Sequence, residues 1–112
     1  MVIFIYKRKQ ILEKHMKNKA IKNKILPILK RQGIVKAAIF GSFARGEEKK
    51  GSDLDLLLQF KNTKSLFDLV RLQFEIKKKI GRKVDILTYN GINHRLRDII
   101  LKEQKIIYEK RH

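Results

Sequence analysis

The stretch VKAAIFGSFARGEEKKGSDLDLLL, residues 35–58, decides how this chain is read. Val35 to Phe40 is an apolar run of strand length that stops at Gly41-Ser42, and Asp53 to Phe60 is a second such run. A glycine directly after a buried strand lets the backbone approach a ligand closely. A serine opening the next helical turn presents its hydroxyl and backbone N–H groups to an anion. Side chains alternate along a strand, so Asp53 and Asp55 project to one face while Leu54 and Leu56 pack behind them. Two carboxylates that close raise each other's pKa unless a cation lies between them. An all-oxygen donor set suits Mg²⁺, which completes its shell with water and phosphate oxygens.

Outward from this stretch the apolar pattern places the remaining elements. Ile11, Leu12, Met16, Ala20, Ile21, Ile25, Ile28 and Leu29 repeat at helical spacing, predicting a helix over about residues 9–32 that Pro27 kinks or splits and Gly33 closes. Residues 43–52 read as a short helical turn followed by a loop. Leu66, Leu69, Val70, Phe74, Ile76 and Ile80 mark a helix over residues 65–80, with Ser65 as its N-cap and Gly81 just past its end. Val84 to Thr88 is a third strand, residues 94–104 a last helix, and Ile106-Ile107-Tyr108 closes the core. A carboxylate inside a short apolar strand is costly unless it is solvated, paired or metal-bound, which singles out Asp85. If that strand lies beside residues 53–60, Asp85 reaches the patch of Asp53 and Asp55. Three carboxylates on one sheet face can hold two metal ions about 3.5–4 Å apart, the spacing used for in-line nucleotidyl displacement. The alternatives are a solvent-facing acidic strand end for Asp53 and Asp55, and an ion pair with Arg82 or Lys83 for Asp85.

Composition bounds what such a site can serve. The chain has 112 residues and 43% hydrophobic content, enough for one domain with one modest core. That length excludes a multidomain polymerase, a dinucleotide-binding dehydrogenase and a TIM barrel. Without cysteine there is no disulfide, zinc–thiolate site or thiol nucleophile. No apolar run approaches the ~18–20 residues of a membrane helix. The Met1–Tyr6 segment is followed, not preceded, by its basic cluster, unlike a secretory signal, so a cytoplasmic protein is expected. The net charge of +17 suits a polyanionic or acidic partner, and equally a solvated Lys-rich surface with no such role. Basic residues are spread along the chain, eight of them in residues 7–24 and eight in residues 61–83, so no single nucleic-acid face stands out. Phe43 and Phe74 are the aromatics beside basic residues that do not fit a buried pattern and could stack on bases. The histidines, His15, His94 and His112, sit in unrelated basic segments and receive no role.

Taken together, Gly41-Ser42, ten intervening residues and Asp53-x-Asp55 form the GS-x10-DxD pattern. Four fixed residues at that spacing arise by chance in on the order of one in a thousand chains of this length. The segments FGSFARG (40–46), SDLDLLL (52–58) and GRKVDILT (81–88) resemble the minimal nucleotidyltransferase (MNT) family, within the superfamily whose fold is like the DNA polymerase β palm. The resemblance implies an α/β (α+β two-layer) fold, a small mixed sheet flanked by helices, over residues 19–109, with residues 1–18 as an N-terminal extension. Met16 offers an alternative start near the end of that extension, and the apolar Met1–Tyr6 segment is expected to need burial, as an added strand or against a partner.

Members of this family resemble antitoxins of HEPN/MNT (type VII) toxin–antitoxin systems. The implied activity is transfer of AMP from ATP to a tyrosine hydroxyl of a cognate HEPN ribonuclease toxin, with release of pyrophosphate. Asp53, Asp55 and Asp85 would be the catalytic residues and the ligands of two Mg²⁺ ions, with Asp85 drawing the proton from the tyrosine. Gly41 and Ser42 would hold the β and γ phosphates, with Arg45 neutralising phosphate charge. Lacking room for a domain that grips a primer or shapes a small acceptor, the chain would have its acceptor brought by the partner. Two other functions fit the same residues: an antitoxin acting by binding alone, and nucleotidyl transfer to RNA or a small molecule.

Overall fold

The computed structural model describes residues 2–110, with side chains from residue 16 onward. In chain order the elements are α1 (Val2–Arg31), β1 (Ile34–Phe40), α2 (Gly41–Arg45), β2 (Leu54–Phe60), α3 (Leu66–Ile80), β3 (Val84–Thr88), a 3₁₀ turn (Tyr89–Gly91), α4 (His94–Glu103) and β4 (Lys105–Glu109). The strands form one mixed sheet in the order β3-β2-β1-β4. β1 runs antiparallel to both β2 and β4, while β2 and β3 are parallel. Parallel neighbours need a crossover, and α3 supplies it.

The two sheet faces are covered differently. One face carries Ala37, Ile39, Leu54, Leu56, Leu58, Val84 and Ile107 and packs under Ile25, Ile28 and Leu29 of α1 and Leu72 and Ile76 of α3. Arg31 of α1 is ion-paired with Glu75 of α3 on that side. The other face carries Ala38 and Leu57, covered by Ile92 and by Ile100 of α4. This is the small mixed sheet flanked by helices that the sequence leads one to expect, with α4 laid on the second face.

α3 begins as expected. Ser65 Oγ accepts the Asp68 N–H at 3.2 Å while the Asp68 carboxylate accepts the Ser65 N–H at 3.1 Å, a reciprocal capping box. The backbone hydrogen bond from Ser65 holds the Asp68 carboxyl below its ordinary pKa. Gly81, at φ 70°, takes the left-handed position that ends the helix.

Several expectations are corrected. α1 is one helix running through Pro27, so the proline does not split it, and it begins at Val2 rather than near residue 9. The backbone of Val2–Tyr6 is therefore helical and not an added strand. The burial expected for that segment, and the apolar roles of Ile11 and Leu12, lie outside the described side chains. The 18/19 boundary falls within α1. Ile106-Ile107-Tyr108 belongs to a fourth strand, paired with β1 through Ala37–Tyr108 and Ala38–Ile106. In α3 the buried positions are Leu72 and Ile76, whereas Leu66, Val70 and Phe74 face outward.

Truncating a buried side chain and removing the cap should differ in size. Ile76→Ala, at a site with 0% exposure, should cost about 2–5 kcal/mol of unfolding free energy. Ser65→Ala should cost about 1 kcal/mol. Urea denaturation of the two variants measures both; equal losses would mean that Ile76 is not a core anchor.

Candidate functional site

Register alone brings the key residues together. In the β1–β2 ladder Phe40 is opposite Asp55, and in the parallel β2–β3 ladder Asp55 is opposite Asp85. Directly paired residues point to the same side of a sheet, so Asp55 and Asp85 stand side by side. They lie on the α4 face, since Asp55 is two residues from Leu57. Leu54 and Leu56 point the other way and are fully buried, as expected. Asp53 immediately precedes β2 and flanks the same end of the sheet.

Asp55 records this crowding in its ionisation. Its carboxyl is pushed up to about 6, first by partial burial, then by the charges of Asp85 and Asp53, while Arg45 acts in the opposite direction. Asp53 has a cation of its own, Lys83, with Nζ 3.7 Å from Oδ2. Asp85 takes part in no ion pair among the described residues, so the alternative of an Arg82 or Lys83 partner is not what the structure contains. Arg82 instead donates to the Ser52 carbonyl at 2.6 Å and lies 4.9 Å over the Phe43 ring.

Gly41 closes the other side. Its φ is 71°, and a Cβ there would overlap Asp55 Oδ2 and stand 3.2 Å from Asp55 Cγ. Only glycine combines this left-handed backbone with such an approach. The strand–glycine–serine turn therefore presses its backbone onto the carboxylate supplied by the next strand. Gly41 and Ser42 open α2, whose N-cap residue, Phe40, contributes no side-chain hydrogen bond to the first turn.

Arg45, at the end of α2, donates to Glu47 at 3.0 Å and to Glu103 of α4 at 3.1 Å. Glu103 is a site neighbour that the sequence reading missed. Glu103 lies 58 residues from its partner and carries no local signal. Lys83 was paired with the wrong aspartate. The loop after α2 holds Glu48, whose side chain is 8% exposed and 3.5 Å from Lys17 of α1. Phe43 is 2% exposed in the core and cannot stack on a base, a correction, whereas Phe74 is 65% exposed.

The donor set is chemically suited to a hard divalent cation: carboxylate oxygens only, with Asp55 tending to keep a proton because it is partly buried and, next to that, because like charges face it. As the side chains stand, no three described His, Asp or Glu groups close around one metal position. Asp55 and Asp85 already face each other, and Asp53 is turned to Lys83.

Comparison with known proteins finds relatives of this chain. The family model described as "Polymerase beta, Nucleotidyltransferase" matches residues 23–112. A Methanocaldococcus jannaschii protein named "Putative protein adenylyltransferase MJ0435" is 53% identical over 83 residues, covering 74% of this chain and 89% of that protein. The solved "Structure of putative minimal nucleotidyltransferase" superposes with a TM-score of 0.70 at 37% identity, covering 80% of this chain and 92% of that one. A Shewanella oneidensis complex, described as a tri-AMPylated HEPN toxin with its MNT antitoxin, contains a chain of the same fold. That chain has a TM-score of 0.67 at 16% identity, covering 82% of this chain and 72% of its own length. No helix among the described residues is long and apolar enough to cross a membrane.

Two outcomes follow from the geometry. NMR of the side-chain carboxyls should show Asp55 titrating near pH 6, shifted downward in Asp85→Asn but not fully to 3.8, because burial remains, and shifted upward in Arg45→Gln. The folded chain holds this proton more tightly than the unfolded one. The associated stability is thus complete below pH 3.8 and is lost as pH rises through about 6. Gly41→Ala should destabilise the fold by at least about 1–2 kcal/mol from its left-handed backbone alone. Calorimetry showing an unchanged melting temperature would contradict the left-handed Gly41 backbone and, with it, the close approach to Asp55.

Proposed function

The chain belongs to the polymerase β nucleotidyltransferase family, and from that premise we propose that it is a protein adenylyltransferase. It moves AMP from ATP to a tyrosine hydroxyl of a HEPN-type toxin, releases pyrophosphate, and so acts as the antitoxin. The observation that carries the reading is the Asp55–Asp85 pair with the Gly41 backbone pressed against it. The name of the Methanocaldococcus relative and the AMPylated toxin of the Shewanella complex supply the acceptor class.

Asp53, Asp55 and Asp85 would hold two Mg²⁺ ions, which would supply charge neutralisation for the triphosphate and for the leaving pyrophosphate. The turn at Gly41-Ser42 receives phosphate oxygens on the N–H groups left free of side-chain caps and on the Ser42 hydroxyl. Arg45 lies close enough to influence Asp55 and adds positive charge on the phosphate side, with Glu47 and Glu103 fixing its guanidinium. A tyrosine hydroxyl has an ordinary pKa of about 10, so it needs a base near neutral pH. Asp85, with no cationic partner among the described residues, accepts that proton as the phenolic oxygen bonds to the α-phosphorus and the bond to pyrophosphate breaks. The use of ATP makes the cytoplasm the compartment proposed for it.

Incubation with labelled ATP, Mg²⁺ and the cognate toxin tests the reading. Wild type should label the toxin, and Asp53→Ala and Asp85→Ala should each lose about 100-fold or more of that rate. Chelating the Mg²⁺ should abolish it. Equal neutralisation by wild type and Asp53→Ala without label would point to an antitoxin acting by binding alone. Label in RNA and none in protein would move the acceptor to nucleic acid.

A further inference from the structure

α3 has two apolar stripes, and the fold uses only one. Leu72 and Ile76 are buried, and Ile80 packs beside them against the sheet. Leu66, Phe67, Val70 and Phe74 are 74%, 79%, 41% and 65% exposed. At about 100° per residue these four fall within one arc of the helix, turned well away from the arc of Leu72, Ile76 and Ile80. An outward stripe with two phenylalanines on so small a chain marks a contact surface rather than scattered exposure.

The charges around the stripe say what covers it. Arg71, Lys77 and Lys78 lie along or beside it and are exposed. The two acids of α3 are already engaged: Asp68 with Ser65 in the capping box and Glu75 with Arg31. A second copy of this chain would bring the same basic residues and another +17 of net charge against them. The complementary occupant is a protein face with an apolar centre and carboxylates at its rim, the arrangement in which central aromatics dominate binding.

We propose that Leu66, Phe67, Val70 and Phe74 of α3 form the docking surface for the protein acceptor, which meets them with an apolar, acid-edged face. The identity of the occupant as the acceptor rests on the adenylyl-transfer reading. α3 packs on the sheet face opposite Asp55 and Asp85. A partner held there leaves the carboxylates open and supplies its hydroxyl around the β3 edge. Docking should therefore govern how tightly the acceptor binds, not the chemical step.

The test uses the full chain, the cognate toxin and the double variant Phe67→Ser/Phe74→Ser, both sites being exposed. Calorimetry without ATP should show the Kd for toxin rising at least about tenfold. In transfer assays KM for toxin should rise in parallel while kcat and the Asp55 titration stay unchanged. Arg71→Glu/Lys78→Glu should weaken binding and flatten its salt dependence. Sedimentation should find the free wild-type chain monomeric. Unchanged Kd and KM in the phenylalanine variant would overturn the proposal and leave the adenylyl-transfer reading standing. A wild-type dimer that the variant dissociates would overturn it in favour of a second copy. If wild type binds toxin but transfers no AMP, the enzymatic reading fails, while loss of that binding in the variant still upholds the surface.

Discussion

The parallel pairing of β2 with β3 is the constraint from which the rest follows. It sets Asp55 beside Asp85, and the antiparallel pairing with β1 sets Phe40 across from the same residue. A slip of one residue in either ladder would turn Asp55 into the apolar face occupied by Leu54 and Leu56. Those leucines have no exposure at all, so the core that they fill defends the register that the carboxylates need. Gly41 depends on this arrangement too, since its backbone is shaped around Asp55. Core packing and site geometry are therefore one problem with one solution.

Much of this was readable before any coordinates. The glycine-serine turn, the spacing to Asp53-x-Asp55 and the helix-length crossover between β2 and β3 are local or length-dependent signals, whereas the adjacency of β2 and β3 is a condition that only the sheet itself supplies. Ser65 and Gly81 punctuate α3 as their chemistry dictates. The misreadings have physical causes. Val2–Tyr6 is rich in β-branched and aromatic residues, which favour strands in isolation, yet it continues a long helix. β4 places three consecutive apolar residues, Ile106–Tyr108, between Lys105 and Glu109, with no alternation to mark it as a strand.

Other parts were hidden because periodicity names a face without naming what covers it. α3 has apolar residues on both sides, and only the tertiary structure tells that Leu72 is inside and Phe74 outside. Phe43 looks like a surface aromatic beside Arg45, but the chain turns it into the core and lays Arg82 over its ring. The contacts Arg45–Glu103 and Lys17–Glu48 join residues far apart in sequence, and nothing in their own neighbourhoods announces them.

β3 is an edge of the sheet, with one side of its backbone ladder open. Exposed edges of apolar strands invite pairing with other chains, and proteins suppress this with short strands and with charges set on the edge. β3 has five residues, and Asp85 is its second. The carboxylate that faces Asp55 thus also acts as a gatekeeper against aggregation. A neutral residue at that position would remove a carboxylate from beside Asp55 and, in the same stroke, leave Val84 to Thr88 a stickier strand.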